Sequence, residues 1–539
     1  MKEDNPYLTK DGDQFVVTDR GWAELKKMVT DSHGQVYVFT EGISPVIVSA
    51  AMARLSRRSG DMREAILDEF MIPSGRDSDH VLDRVISQYG DDSVQQLIGV
   101  QFVVEGASNI LTKILERGRL ASYLEQSTRY IYFDKKDKDG KFRYFIPSNF
   151  SPVVRMRYTQ DMDATFETYS PMVHQLTDYI RKKYPEPTDP KERAAWIAST
   201  RAQACDAIRP VLPVATKSTV GIFASAQAAD NLIMNLKGDP LQEARDVGDA
   251  ILDELRKVIP AFLRRTDIPS QGSMITAYRA TTRSDVRELA RKHLNFDNAK
   301  PASGDVRLVS HWPQNEMDLV PEMLFEGSEP LSLQEIEEQV SQWPLERKKE
   351  VFQAYIGRRF NRRARPGRAF EKAHFEWEID GRDYGTFRDL QRHRMVDLWE
   401  WQRLGIGFGY DIPELVTEAG LTEQFQHCFE LSSGLYTFLV EEGYELEAQY
   451  ATLLGHRMRY RFIMNAREMF HVIELRTGPS GHPGYRKICN EMYNLFKNVY
   501  PVTAAGMIFV NQGEDPALAR QAAELATQFR LEKLGLAPE

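Results

Sequence analysis

The chain repeats one local plan twice, about half of its 539 residues apart. In the first copy, Ile98, Val100, Phe102 and Val104 alternate with other residues, as a strand with one buried face does. Gly106-Ala107-Ser108 interrupts that run. Asn109 to Arg117 then reads as a helix with Ser108 as its N-cap, leading into Arg117-Gly118-Arg119. In the second copy, Phe375, Trp377 and Ile379 alternate with His374, Glu376, Glu378 and Asp380, and Asp380-Gly381 marks a turn. Thr386, followed three positions later by Asp389, resembles a capping box. It opens a helix toward Arg392-His393-Arg394. Strand, turn, helix and arginine triplet thus occur twice, which predicts two related domains rather than one large core.

The stretch from Ile268 to Val309 is richer in polar residues and turn formers, and the boundary is placed near residue 300. The expected domains are 1–300 and 301–539. Asp134 to Lys141 (DKKDKDGK) is a charged insertion that reads as a surface loop or hairpin tip. Leu331 to Val351 has helical apolar spacing and predicts a peripheral helix.

No apolar run approaches the ~20 residues that cross a bilayer, and the N-terminus MKEDNPYLTKDGD lacks the apolar core of a signal peptide. Cys205, Cys428 and Cys489 are far apart, show no metal spacing and suit a reducing cytoplasm. No metal site is expected. A net charge of −9 argues against a general nucleic-acid binder, because a phosphate backbone is met by a basic surface. An acidic protein can still gather arginines in one pocket for a small anion. Arginines do gather here, at Arg362, Arg363, Arg365 and Arg368 and again at Arg382, Arg388, Arg392 and Arg394.

Arginine's planar fork grips phosphate through two parallel charge-assisted hydrogen bonds, and serine and backbone N–H groups complete the shell. Glu125-Gln126-Ser127-Thr128-Arg129 offers that set within five residues. Together with Arg117, Arg119 and Ser122 it resembles the signature of the flavin-dependent thymidylate synthases: Arg-His-Arg, then Ser after two residues, then Ser-x-Arg after four more. Gly118 replaces the histidine. The second half keeps the intact triplet Arg392-His393-Arg394 but has Asp397, Gln402 and Leu404 at the remaining positions.

Later motifs are divided in the same complementary way. Ala207-Ile208-Arg209-Pro210-Val211-Leu212-Pro213 is similar to the family's Ala-Arg-x-Val-Leu-Pro segment with one residue inserted. The Asn-x-Arg that follows in the family is lost there (Ser225-Ala226-Gln227) but present as Asn465-Ala466-Arg467 in the second half, where Gln449 replaces the earlier arginine. The family's later lone arginine is Arg476 in the second half and Leu236 in the first.

The resemblance implies an α+β fold of two tandem domains, each a mixed or antiparallel sheet with long helices. It implies FAD-dependent methylation of deoxyuridylate (dUMP) to thymidylate (dTMP), with methylenetetrahydrofolate and NADPH as co-substrates. Carried over residue by residue, dUMP is gripped by Glu125, Ser127, Thr128, Arg129 and Arg209 from one half and by Gln391, Arg392 and Arg476 from the other. FAD is held by Arg392, His393, Arg394, Asn465 and Arg467, by His471 where the family usually has asparagine, and by Ser93 in place of a threonine. The flavin does the hard chemistry, so no catalytic side chain is assigned. The reciprocal site lacks most of its charge and is expected to be dead. Because the single-domain family forms tetramers, two tandem chains are expected to make a homodimer.

The family also has a His-x-Thr-x-x-Glu pattern that contacts flavin. Asp91 and Gln96 depart from it, and Glu371 is a substitute for the glutamate. The loop Thr477 to Gly484 is placed over ligand, with His482 near the family's histidine. Two other readings follow from the departures: a flavoenzyme acting on another pyrimidine nucleotide, and a non-catalytic nucleotide-binding or scaffold homologue.

Overall fold

A computed structural model describes residues 5–11, 14–55, 61–72, 94–513 and 518–534. Two compact units interleave along the chain. The first takes residues 1–105, 120–125 and 219–296, and the second takes 106–119, 126–218 and 297–539.

The repeat seen in the sequence is a repeat of topology. In the first half, strands β3 (Gly99–Ser108), β4 (Ala121–Glu125) and β5 (Lys217–Ser225) form a sheet in the order β3-β5-β4. In the second half, β7 (His374–Asp383), β8 (Leu398–Trp401) and β9 (Arg457–Asn465) are ordered β7-β9-β8, and one further strand, β6 (Val306–Trp312), flanks β7. The resolved pairings are antiparallel. In each half a short helix follows the first strand: Asn109–Leu115 and Tyr384–Leu390. Another follows the last strand: Ala226–Lys237 and Ala466–Arg476.

Strand burial follows side-chain alternation. Phe375, Trp377 and Ile379 are wholly buried, and Met458, Tyr460, Phe462 and Met464 face them from β9. Val100 and Val104 are buried in β3. The helix starts are also local. Ser108 caps the first triplet helix by accepting from Leu111 N, as expected. At the matching place in the second half the cap is Asp383, which accepts from Thr386 N. Thr386 and Asp389 therefore lie inside the helix rather than forming its capping box. Both helices end before the arginine triplets, at Leu115 and Leu390, because the chain turns there to enter β4 and β8.

Asp380-Gly381 is not a turn but a bulge within β7, where the register with β9 shifts and Gly381 has φ +82°. Gly106 holds the same place in β3, with φ +71°. A side chain at Gly381 would meet Ala302 Cβ at 2.4 Å, so glycine is required twice over.

In the first unit, the hairpin β1 (Leu8–Asp11) and β2 (Gln14–Val17) packs with helices Asp19–Met28, Pro45–Leu55 and Met62–Glu69 around Leu8, Leu25, Met28, Ile43 and Ile66. The polar stretch after Ile268 contains a helix, Gly272–His293, in which only Gly272 is buried. Leu331 to Val351 forms parts of two helices, Leu333–Ser341 and Leu345–Ile356, the first opened by a capping box at Ser332. The charged insertion is an exposed turn in which Asp137 accepts from Asp139 N and Lys141 N. Among the described residues no helix is long and apolar enough to cross a membrane. Cys205, Cys428 and Cys489 are buried core thiols, and burial pushes each up to about 12.

Candidate functional site

The second unit brings the surviving motifs of both halves into one arginine cluster. Arg129 leaves the chain just after Ser127, whose hydroxyl accepts from Arg129 N at 3.1 Å. Its guanidinium makes two parallel bonds to Asp206, both at 2.7 Å, and a third to the Tyr485 hydroxyl at 3.3 Å. Arg209 stands in the short 3-10 turn Arg209–Val211 that ends the helix Pro190–Ile208. It donates to Asp389 Oδ2 at 3.0 Å across the two halves. Thr128 Oγ1 accepts from Arg388 at 3.4 Å. Glu125 lies at the end of β4 in the first unit, paired in register with Val220.

Asp389 is the negative centre of this cluster. Burial raises its carboxyl, but Arg209, Arg392 and Arg129 oppose that and hold it well below the usual carboxylate range. Both partners of the Arg209–Asp389 pair are buried. Gln391 is also buried; its amide donates to Lys113 O at 3.0 Å, while its Oε1 has no hydrogen-bond partner. Lys113 itself is buried against Glu116. Arg476 completes the group. It stacks over Tyr485 with 5.1 Å to the ring centre and donates from Nε to His393 Nε2 at 2.8 Å. Its helix is braced two residues earlier, where buried Glu474 takes two bonds from Arg359.

The expected flavin residues fall into two kinds. Arg392 and Arg394 are exposed. His393 is buried. The chain turns sharply here, so Arg392 and Arg394 point outward while His393 turns in beside Trp399, Phe462 and Met464. Burial, then Arg476 and Arg365, pushes His393 well below its ordinary value, so it is neutral and accepts from Arg476. Burial lowers His471 to about 4. Asn465 caps its helix by accepting from Glu468 N at 2.9 Å. Arg467 donates to Pro366 O at 2.8 Å and to Glu371 at 3.4 Å. The first-half counterpart of that ion pair is an amide pair, Gln96 Nε2 to Gln227 Oε1 at 2.9 Å. Ser225 caps the first-half helix where Asn465 caps the second. Ser93 and Asp91 lie outside the described residues.

Donor atoms of His393, Glu468 and His471 lie within 4.8 Å of one another. Arg476 already donates to His393, and Arg365 to Glu468 at 3.2 Å, so guanidiniums surround the place a cation would take. In the loop after Arg476, His482 caps the helix Pro483–Val499. Burial, then Arg209, lowers its ring, with Asp206 opposing.

Leu404 is buried, and its N–H donates to Gln449 Oε1 at 3.2 Å. Arg117 faces outward, paired with half-exposed Glu400 at 2.9 Å and over Trp401. Asp206, Asp389, Arg388 and Tyr485 were not anticipated as members of the main cluster. The only sequence signal was a carboxylate three residues before an arginine, at Asp206 and Asp389, a spacing that brings side chains together on a helix.

A double sheet–helix repeat with one arginine-rich cluster defines the class. The family model for thymidylate synthase complementing protein matches residues 42–261 and again 307–502. The chain therefore belongs to the flavin-dependent thymidylate synthase family, in tandem form, a family of nucleotide-methylating enzymes. It is 31% identical over 502 residues to a UPF0159 protein of Chlamydia pneumoniae, covering 88% of this chain and 93% of that one. A flavin-dependent thymidylate synthase of Clostridium tetani is 25% identical over 183 residues, 33% of this chain and 67% of that one. A solved UMP/dUMP methylase, PolB of Streptomyces cacaoi, bound with 5-Br dUMP, aligns with TM-score 0.31 and 15% identity over 39% of this chain and 97% of its own.

Proposed function

We propose that this chain methylates dUMP to dTMP, with FAD, methylenetetrahydrofolate and NADPH, at one composite site assembled from its unlike halves. The observation that carries this reading is the pairing of Arg209 with Asp389 beside Arg129 and Tyr485. Each half supplies what the other lacks, within a single compact unit. The expected domains, 1–300 and 301–539, are the two repeats, and the working form is a cytoplasmic homodimer.

Guanidiniums outnumber carboxylates in the cluster, so a dianionic phosphate would meet net positive charge. Arg129 and Arg209 grip that phosphate, with Ser127 and Thr128 completing the shell. Arg392 and Arg476 reach it from the second half. The Gln391 oxygen, buried without a partner, is free to accept from a nucleotide N–H, whose loss would leave it unsatisfied. The donor set also fits a dinucleotide: exposed Arg392 and Arg394 and half-buried Arg467 suit a pyrophosphate, with Asn465 and His471 beside it. His393 is a positioning residue that fixes the Arg476 guanidinium. When bound, FAD supplies the one-carbon relay and the reducing equivalents to the pyrimidine.

The test is product analysis after incubating the full chain with dUMP, methylenetetrahydrofolate, FAD and NADPH. dTMP is the expected product. A methylated or otherwise modified nucleotide other than dTMP would move the assignment to a different pyrimidine substrate, the reading that Asp91 and Gln96 favour. Protein that binds nucleotide yet neither retains flavin nor turns over would leave a scaffold.

A further inference from the structure

The first unit carries a cleft of about 290 Å³ formed from entirely different residues. One wall is the turn between helices Ala226–Lys237 and Gln242–Arg256, contributing Lys237, Gly238, Asp239, Pro240 and Arg245. The other is a face of the helix Gly272–His293. Arg279, Arg283, Arg287 and Arg291 recur every fourth residue there and so form one basic ridge. Arg283 and Arg287 line the cleft.

Two of its four cations are already matched by carboxylates. Arg283 donates to Asp239 at 2.8 Å, and Lys237 to Asp249 at 2.5 Å. The other two are not. Arg245 Nη1 is held by the backbone carbonyls of Asp239 and Pro240 at 2.8 and 2.7 Å, and Nη2 by Gln242, all neutral acceptors. Arg287 makes no hydrogen bond or ion pair among the described residues. The carbonyl clamp fixes one fork in place, and two uncompensated positive charges face one open cleft. That is the complement of a phosphate dianion, and guanidinium forks bind phosphate bidentately. The volume lies near the lower end of small-molecule sites, enough for a phosphate with about one sugar attached.

We propose that this cleft binds the phosphate group of a small phosphorylated ligand, as a second anion site independent of the arginine cluster in the other unit. Arg245 and Arg287 grip the phosphate, and the Arg283–Asp239 pair orients the wall between them. Free phosphate and a phosphomonoester such as a nucleoside 5′-monophosphate share this chemistry.

The test is calorimetric titration of the full chain with inorganic phosphate and, separately, with dTMP. Both are run on the unmodified protein and on Arg287→Ala, Arg129→Ala and the double variant. Arg287 has no partner to lose, so its variant should keep the melting temperature of the parent. One site should survive Arg129→Ala and weaken roughly ten- to a hundredfold when Arg287→Ala is added. Binding of phosphate alone identifies a free-anion site, and tighter binding of dTMP identifies a phosphomonoester; either supports the proposal. Binding in the Arg129→Ala background that ignores Arg287, or no binding there at all, overturns it. Should Arg129→Ala fail to fold, the number of sites in Arg287→Ala against the parent decides the matter: an unchanged number overturns the proposal.

Discussion

Arg209 and Asp389 meet at 3.0 Å with both side chains almost wholly out of solvent, one from each repeat of the chain. A buried charge pair contributes little net stability, because desolvation offsets most of its Coulomb gain. Breaking it is another matter, since a lone charge would remain in the interior. The pair therefore ties the two repeats together by penalty rather than by gain.

Asp389→Asn should destabilise the fold by roughly 3–5 kcal/mol, because it leaves Arg209 buried without its counter-charge. Asp389→Asn combined with Arg209→Met should recover much of that loss. Urea unfolding of the two variants reads the difference. Equal loss in the single and double variants would contradict the account.

Arg129→Ala should weaken dUMP binding about ten- to a hundredfold, the value of one charge-assisted phosphate contact. Arg117→Ala should leave it nearly unchanged, since Arg117 faces outward to Glu400. Calorimetry with dUMP compares them. Similar losses at both positions would mean two live sites.

His393→Gln retains an acceptor for Arg476 Nε, while His393→Leu does not. The Gln variant should bind dUMP close to normally, and the Leu variant several-fold more weakly at an unchanged melting temperature. His393→Gly, which copies the change already present at Gly118, should also lower the flavin-to-protein absorbance ratio. Because His393 is buried, that variant should melt earlier as well. Full flavin occupancy in it would exclude the triplet from flavin binding.

His456 is buried and accepts from Leu453 N at 2.9 Å, and burial lowers it from 6.5 to about 4. The unfolded chain takes up this proton first. The stabilising contribution is therefore complete above about pH 6.5 and is lost as pH falls toward 4, by roughly 3 kcal/mol in all. His456→Asn keeps an acceptor without titrating, so its unfolding free energy should depend less steeply on pH in that window. An unchanged slope would place the acid sensitivity elsewhere.

Much of this molecule was legible before its structure, because the determining interactions are local. Alternation placed the buried faces of β3 and β7, and Ser108 announced its helix through a cap spanning three residues. Complementary survival of Arg129 and Arg209 in one repeat and Arg392 and Arg476 in the other pointed to a single composite cluster. Asp380-Gly381 is a bulge and not a turn because the two use the same residues and only strand pairing separates them, and the helix that follows is capped by Asp383 and not by Thr386. By itself the sequence determined the repeat, the faces of its strands and which half kept which charge, since spacing and residue type carry all three. Tertiary structure alone decided that Asp206 takes Arg129 while Asp389 takes Arg209, and that His393 turns inward between two outward arginines. Ion-pair partners and burial depend on distances between segments far apart in the chain, and no local propensity encodes them.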